Sequence, residues 1–245
     1  MSAVVKIKCG SVFGSGFVRI INGKKYAVTA AHVIINAIDL GESTCSVIFP
    51  WKRTGYNFYE EAHYRIGTIL DTEITKENYK EKGFDMALLE ILPIREEDER
   101  VFPNGQPNIS EPFCSETNYE EPIILWGYAS HVGTAATPGG ILSRFPGIIR
   151  AYALTSGTNQ SPDAGAVDGY SYLPNLNNVS PAGPHSHVVI SSENNFSGAS
   201  GGLVFNILRR CIVGINIATG VEAREVLGLI VNLNFDAIRT FLETR

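Results

Sequence analysis

The sequence predicts an all-β fold of short antiparallel strands with a helix at the C-terminus. Three observations lead there. First, 24 glycines and 12 prolines cut the 245 residues into short apolar runs of strand length, as turn-rich β proteins require. Second, tight-turn signals such as Asn22-Gly23 stand between such runs. Third, helical periodicity is confined to a few segments, the clearest being Asn234–Leu242, with apolar residues at 235, 238, 241 and 242 behind a capping Asn234. A hydrophobic content of 44% against 18% charged residues describes an ordered chain long enough to bury a core in one or two small domains.

Taken in order, Val4–Lys8 alternates as a strand. Gly10–Gly16 reads as a glycine-broken bend, Phe17–Ile21 as the next strand, and Lys25–Thr29 as its hairpin partner. Ala30–Ile35 fits one helical turn, which sets His32 at a strand-to-helix junction. Cys45–Phe49 and His63–Leu70 are strands, and the charged stretch 72–82 is a solvated insertion. Asp85 opens an apolar strand, and the acidic stretch 95–100 is an exposed loop. The proline-rich segment 103–122 is the natural linker. Beyond it, 123–126, 148–154, 187–191, 203–205, 211–217 and 227–231 read as strands. The segment 155–184 lacks periodicity. It either hides hairpins or forms a mobile surface near a groove. No internal repeat is visible.

The chemistry gathers at Asn194-Asn195-Phe196-Ser197-Gly198-Ala199-Ser200-Gly201-Gly202. Glycines on both sides of Ser200 allow positive φ and close approach of a carbonyl, and a tight loop can aim two backbone N–H groups at one point. A reactive serine needs a histidine base, and the base needs a carboxylate to hold its tautomer. All five histidines (His32, His63, His131, His185, His187) precede Ser200, which excludes the α/β-hydrolase order of serine, acid, histidine. The first aspartate is Asp39, after His32, so His32 cannot serve in the subtilisin order. What remains is histidine, aspartate, serine: His32, then Asp85, then Ser200, with Asp39 as a weaker rival for the acid.

In that order Thr29-Ala-Ala-His32, Asp85-Met-Ala-Leu-Leu89 and Gly198-Ala-Ser-Gly-Gly202 resemble the three motifs of the chymotrypsin-fold (trypsin-like) serine peptidases. Gly14-Ser-Gly-Phe17 and Leu125-Trp-Gly-Tyr128 are similar to the disulfide-poor branch with HtrA-like and glutamyl endopeptidase-like enzymes. The resemblance covers nearly the whole chain. It implies a chymotrypsin-like fold of two antiparallel β-barrels, the first over 1–103 with His32 and Asp85, a linker over 104–122, and the second over 123–245 with Ser200. It implies a catalytic triad of His32, Asp85 and Ser200, an oxyanion hole from the N–H groups of Gly198 and Ser200, and no cofactor. The floor of the primary specificity pocket falls on Asn194, with Asn195 and Asn216 nearby, so a preference for cationic side chains is not supported. The run Ile215-Asn216-Ile217-Ala218-Thr219 is expected to pair with extended substrate. Trypsins carry an aspartate just before the serine, to receive a new N-terminus after zymogen cleavage. Ala199 stands there, so activation of that kind is not expected, and the oxyanion loop is either preformed or ordered by a partner or substrate.

The remaining signals narrow the setting. A net charge of −5 without a long basic run argues against nucleic acid as partner, leaving protein or peptide substrates. No apolar run of about 18 residues is present, so no membrane span is expected. With no signal-peptide pattern at the N-terminus, Cys9, Cys45, Cys114 and Cys211 are expected as free thiols in a cytoplasmic protein. Asn-x-Ser sequons at Asn108, Asn159, Asn178 and Asn195 would matter only in a secreted one. His185 and His187 share a strand face but lack a third ligand at a recognisable spacing, so no metal site is expected. The competing reading is a catalytically silent module of the same fold that grips peptides or a partner. An esterase would share the chemistry.

Overall fold

The computed structural model describes residues 3–54, 58–70, 85–92, 108–115, 121–129, 141–151, 186–191, 198–222, 225–232 and 242. Two closed six-stranded barrels result. The first runs β1 (Val4–Cys9), β2 (Val12–Ile21), β3 (Lys24–Thr29), β6 (Ala87–Ile91), β5 (Phe58–Ile69) and β4 (Thr44–Thr54), and β4 returns to β1. The second runs β10 (Leu203–Asn206), β11 (Cys211–Glu222), β12 (Glu225–Asn232), β9 (Ser186–Ser191), β8 (Ile141–Ala151) and β7 (Pro122–Ala129), and β7 pairs with β10. Every pairing between named strands is antiparallel, and closure removes the sheet edges that an open arrangement would leave. The helix α1 (Ala31–Asp39) follows β3 and buries Ala31, Val33, Ile34, Ile35 and Ala37.

The barrels meet where β1 and β2 pack on β7. One hydrophobic core passes through this junction, joining Val5, Ile7, Phe17 and Val28 of the first barrel to Tyr128, Leu203, Ile212 and Ile215 of the second. The junction changes the reading of β1. Alternation sets Val4, Lys6 and Lys8 on one face of β1, yet Lys6 is fully buried while Lys8 stays exposed. β7 covers the Lys6 end, and the ammonium lies 5.3 Å from the centre of the Tyr128 ring. Arg19 of β2 secures the segment between the barrels. It donates to the carbonyls of Ile109 (3.2 Å) and Glu111 (2.5 Å) and lies over the Phe113 ring, while Ile109 N–H donates to Val18 C=O.

Four expectations change. The bend at Gly10–Gly16 is a tight turn at Gly10 (φ +56) followed by a strand that already runs from Val12. Gly14 and Gly16 serve close packing rather than bending: a Cβ at Gly14 would lie 2.6 Å from a Val33 methyl, and one at Gly16 2.7 Å from Val28 C=O. The strand read from residue 148 begins at Ile141, and Pro146 sits inside it. Among the described residues only β7 flanks β8 at Pro146, because pairing with β9 starts at Gly147, so no ladder bond to a described strand is lost on that side. The single turn after β3 is a nine-residue helix.

The fourth correction concerns the cysteines, which form two disulfides, Cys9–Cys45 and Cys114–Cys211, leaving none free. The register explains both. β1 pairs Ile7 with Val47 and Lys8 with Ser46, so the next step sets Cys9 opposite Cys45, with Cα atoms 4.6 Å apart. Cys114 follows a short parallel bridge between Phe113 and Ile212, in which Cys114 N–H donates to Ile212 C=O, and this lays it beside Cys211. Separations of 36 and 97 residues put both pairs beyond the reach of any local sequence signal. The segments 72–82, 95–100 and 155–184 lie outside the described residues. So does the C-terminal helix read at 234–242, apart from Leu242, which is helical and buried.

Candidate active site

His32 is the second residue of α1, where backbone N–H groups lack intrahelical partners. Ala30, at the N-cap, has no side chain to satisfy them. Asp85, arriving just before β6, does so instead. Its Oδ1 accepts from His32 N–H at 2.9 Å, and its Oδ2 meets His32 Nδ1 at 2.5 Å. The Asp85 side chain is fully buried, whereas that of His32 is 30% exposed. A helix N-terminus favours a carboxylate, so one group caps the helix and fixes the ring. With Nδ1–H donating to Asp85, the lone pair is left on Nε2, the tautomer a general base needs. The rival Asp39 ends α1 on the exposed side and is not the carboxylate that touches His32.

The loop that carries Ser200 is reached from β9 and leaves into β10. Gly198 (φ +94) and Gly201 (φ +84) take the left-handed backbone that glycine permits. Ser200 is half-buried, and Ala199 is fully buried in a second-barrel cluster with Leu125, Phe145, Val204 and Val213. Backbone bonds brace the loop. Gly202 N–H donates to Ala199 C=O at 2.9 Å, Gly201 N–H to Asn216 C=O at 2.6 Å, and Asn216 N–H to Gly202 C=O at 2.9 Å. Across the junction, Ser15 N–H donates to Ser200 C=O at 2.7 Å. A Cβ at Gly201 would fall 2.1 Å from Ser15 C=O and 2.9 Å from Ala30 N, so the segment after Ser200 abuts the segment before His32.

Ser15 was not singled out by its sequence, although the Gly14-Ser-Gly motif flagged its neighbourhood. Its hydroxyl donates to Gly198 C=O at 2.7 Å and accepts from Tyr128 N–H at 2.7 Å, while Thr29 Oγ1 donates to Ser15 C=O at 2.7 Å.

Asn216 and Ile217 are buried, and Asn216 is tied to the Ser200 loop as above. Ala218 and Thr219 lie on β11, paired with Leu229 and Gly228 of β12. β10 pairs with β11 only as far as Ile215, so from Ile217 onward β11 has a strand on one side alone among the described residues. Asn194, Asn195, His131 and His185 lie outside the described residues.

No protein-family model and no curated protein matches the sequence. Solved structures do match in shape. The protease domain of MamO from Magnetospirillum magneticum covers 100% of this chain and 96% of its own at 17% identity, with a TM-score of 0.52. Rv3671c from M. tuberculosis H37Rv covers 94% of this chain and 81% of its own at 17% identity, with a TM-score of 0.54. The HtrA-type protease AlgW, solved with a tripeptide, covers 99% of this chain at 15% identity and a TM-score of 0.56, and this chain spans 61% of it. The two barrels are thus those of the chymotrypsin fold. Within that fold, the likeness is to HtrA- and Deg-type serine proteases.

Proposed function

We propose that this protein is a serine endopeptidase that cleaves protein or peptide substrates through an acyl-enzyme. The observation that carries the reading is the double contact of Asp85 with His32, which orients the imidazole from a buried carboxylate at a helix start. Ser200 Oγ attacks the scissile carbonyl carbon as His32 Nε2 takes its proton. The oxyanion is held by the N–H groups of Gly198 and Ser200. His32 passes the proton to the departing amine, and a water, deprotonated by His32, then hydrolyses the ester to release the acid and restore Ser200. Asp85 orients His32 and stabilises the imidazolium.

Among the described residues one side of β11 carries no strand beyond Ile217, which supports docking of extended substrate along Ala218 and Thr219, with Asn194, Asn195 and Asn216 at a neutral specificity pocket. The burial of Ala199 among apolar side chains supports a loop that needs no trypsin-style salt bridge. Free thiols were expected to go with a cytoplasmic setting. The two disulfides favour an oxidising compartment instead.

A fluorophosphonate probe tests the activity. Label is expected on Ser200, located by mass spectrometry, and is expected to vanish in Ser200→Ala and fall steeply in His32→Ala. A folded protein that takes no label at Ser200 would favour the silent binding module.

A further inference from the structure

We propose that Ser15 is a positioning residue for the oxyanion hole, a clamp from the first barrel that holds the carbonyls at both ends of Gly198-Ala199-Ser200. The proposal deepens the protease reading and rests on it for its catalytic consequence.

An oxyanion hole works only if its N–H groups point at the developing charge before the charge appears. In a glycine loop outside any ladder, each peptide plane is free to rotate unless its carbonyl is anchored, because N–H and C=O of one peptide lie on opposite sides of a rigid plane. The Ser200 N–H shares its plane with the Ala199 carbonyl, which Gly202 N–H holds. The Gly198 carbonyl begins the next plane upstream, and Ser15 Oγ–H holds it at 2.7 Å. The Ser200 carbonyl closes the segment, and Ser15 N–H holds it at 2.7 Å. Both donors come from one residue. The Gly198 N–H lies one plane before that anchored carbonyl, at φ +94, so pinning the carbonyl narrows the directions the N–H can take.

The hydroxyl is itself set. A serine has one proton to donate, and Tyr128 N–H fills the acceptor side of Oγ, which turns that proton toward Gly198. Ser15 is fully buried, so water does not compete for either contact. The neighbouring Gly127 leaves the space, since a Cβ there would lie 3.2 Å from Ser15 Oγ. Thr29, three residues before His32, fixes the Ser15 backbone in turn. Loop, base and both barrels therefore converge on Ser15. In trypsins a charged pair performs this service after cleavage; here a neutral hydroxyl built into the junction performs it without cleavage.

The test compares wild type, Ser15→Ala and Ser15→Cys, each first confirmed as folded by circular dichroism. Two readouts are taken: the fluorophosphonate inactivation rate, separated into its maximal rate and its binding constant, and backbone amide exchange over 198–202. Ser15→Ala is expected to lower the maximal labelling rate by about 10- to 100-fold with the binding constant within about twofold, and to speed exchange in the loop. Ser15→Cys, with a weaker donor, is expected to fall between the two. Labelling and exchange at wild-type values in Ser15→Ala would overturn the clamp while leaving the protease reading intact. If wild type itself takes no label, the protease reading fails. Exchange then decides the clamp alone, which stands if Ser15→Ala loosens the loop and falls if it does not.

Discussion

Lys6 shows what a single residue bears at the barrel junction. Its side chain is fully buried, and burial brings the ammonium down from 10.5 to about 8. At neutral pH the folded and unfolded chains both hold this proton, and the folded one bears the desolvation cost. Between about 8 and 10.5 the folded chain has released the proton while the unfolded chain still binds it, so stability rises with pH across that window. The Tyr128 ring offsets part of the cost. Urea unfolding at pH 7 to 10.5 is expected to show this rise for wild type and a flatter dependence for Lys6→Met; equal slopes for the two would refute the assignment. Asp85 acts on the same scale with a double duty, since the carboxylate that orients His32 also closes the uncapped start of α1.

At the scale of elements, the loop that carries Ser200 is held by its neighbours rather than by itself. Gly201 is the tightest point, with φ +84 and a would-be Cβ 2.1 Å from Ser15 C=O and 2.4 Å from Thr29 Oγ1. Neither contact can give way cheaply, because Ser15 C=O is backbone bound to Thr29 and the strand behind it is paired on both sides. Gly201→Ala is therefore expected to destabilise the fold by about 2–4 kcal/mol, and to reduce labelling of Ser200 further than stability alone accounts for. Thermal unfolding beside probe labelling checks both parts. A variant with unchanged melting and labelling would mean that the loop is looser than its contacts indicate.

For the whole molecule, the two disulfides fasten what the barrels leave open. Cys9–Cys45 staples β1 to β4 at the closing seam of the first barrel, and Cys114–Cys211 ties the interbarrel segment to β11. Loops of 36 and 97 residues give entropic stabilisation on the order of 4 and 5 kcal/mol, the longer loop more. In denaturant without reductant, native protein is expected to show no titratable thiol. Replacing Cys114 and Cys211 by alanine together is expected to lower the urea midpoint more than replacing Cys9 and Cys45. Four reactive thiols would instead support the cytoplasmic setting.

His32, Asp85 and Ser200 stand out in the sequence as a candidate triad because each sits in a local pattern, an apolar run meeting a small-residue turn, and because no histidine follows Ser200 and no aspartate precedes His32. The β character, the Asn22-Gly23 hairpin and most strands were legible for the same reason: period and turn chemistry act over a few residues. What only the tertiary structure decided was non-local. The burial of Lys6, the pairing of the cysteines, the close-packing role of Gly14 and Gly16 and the clamp at Ser15 all depend on which strand lies opposite which. Ser15 and Gly198 are 183 residues apart, and no local propensity encodes a contact at that distance. It arises only when two barrels close and meet.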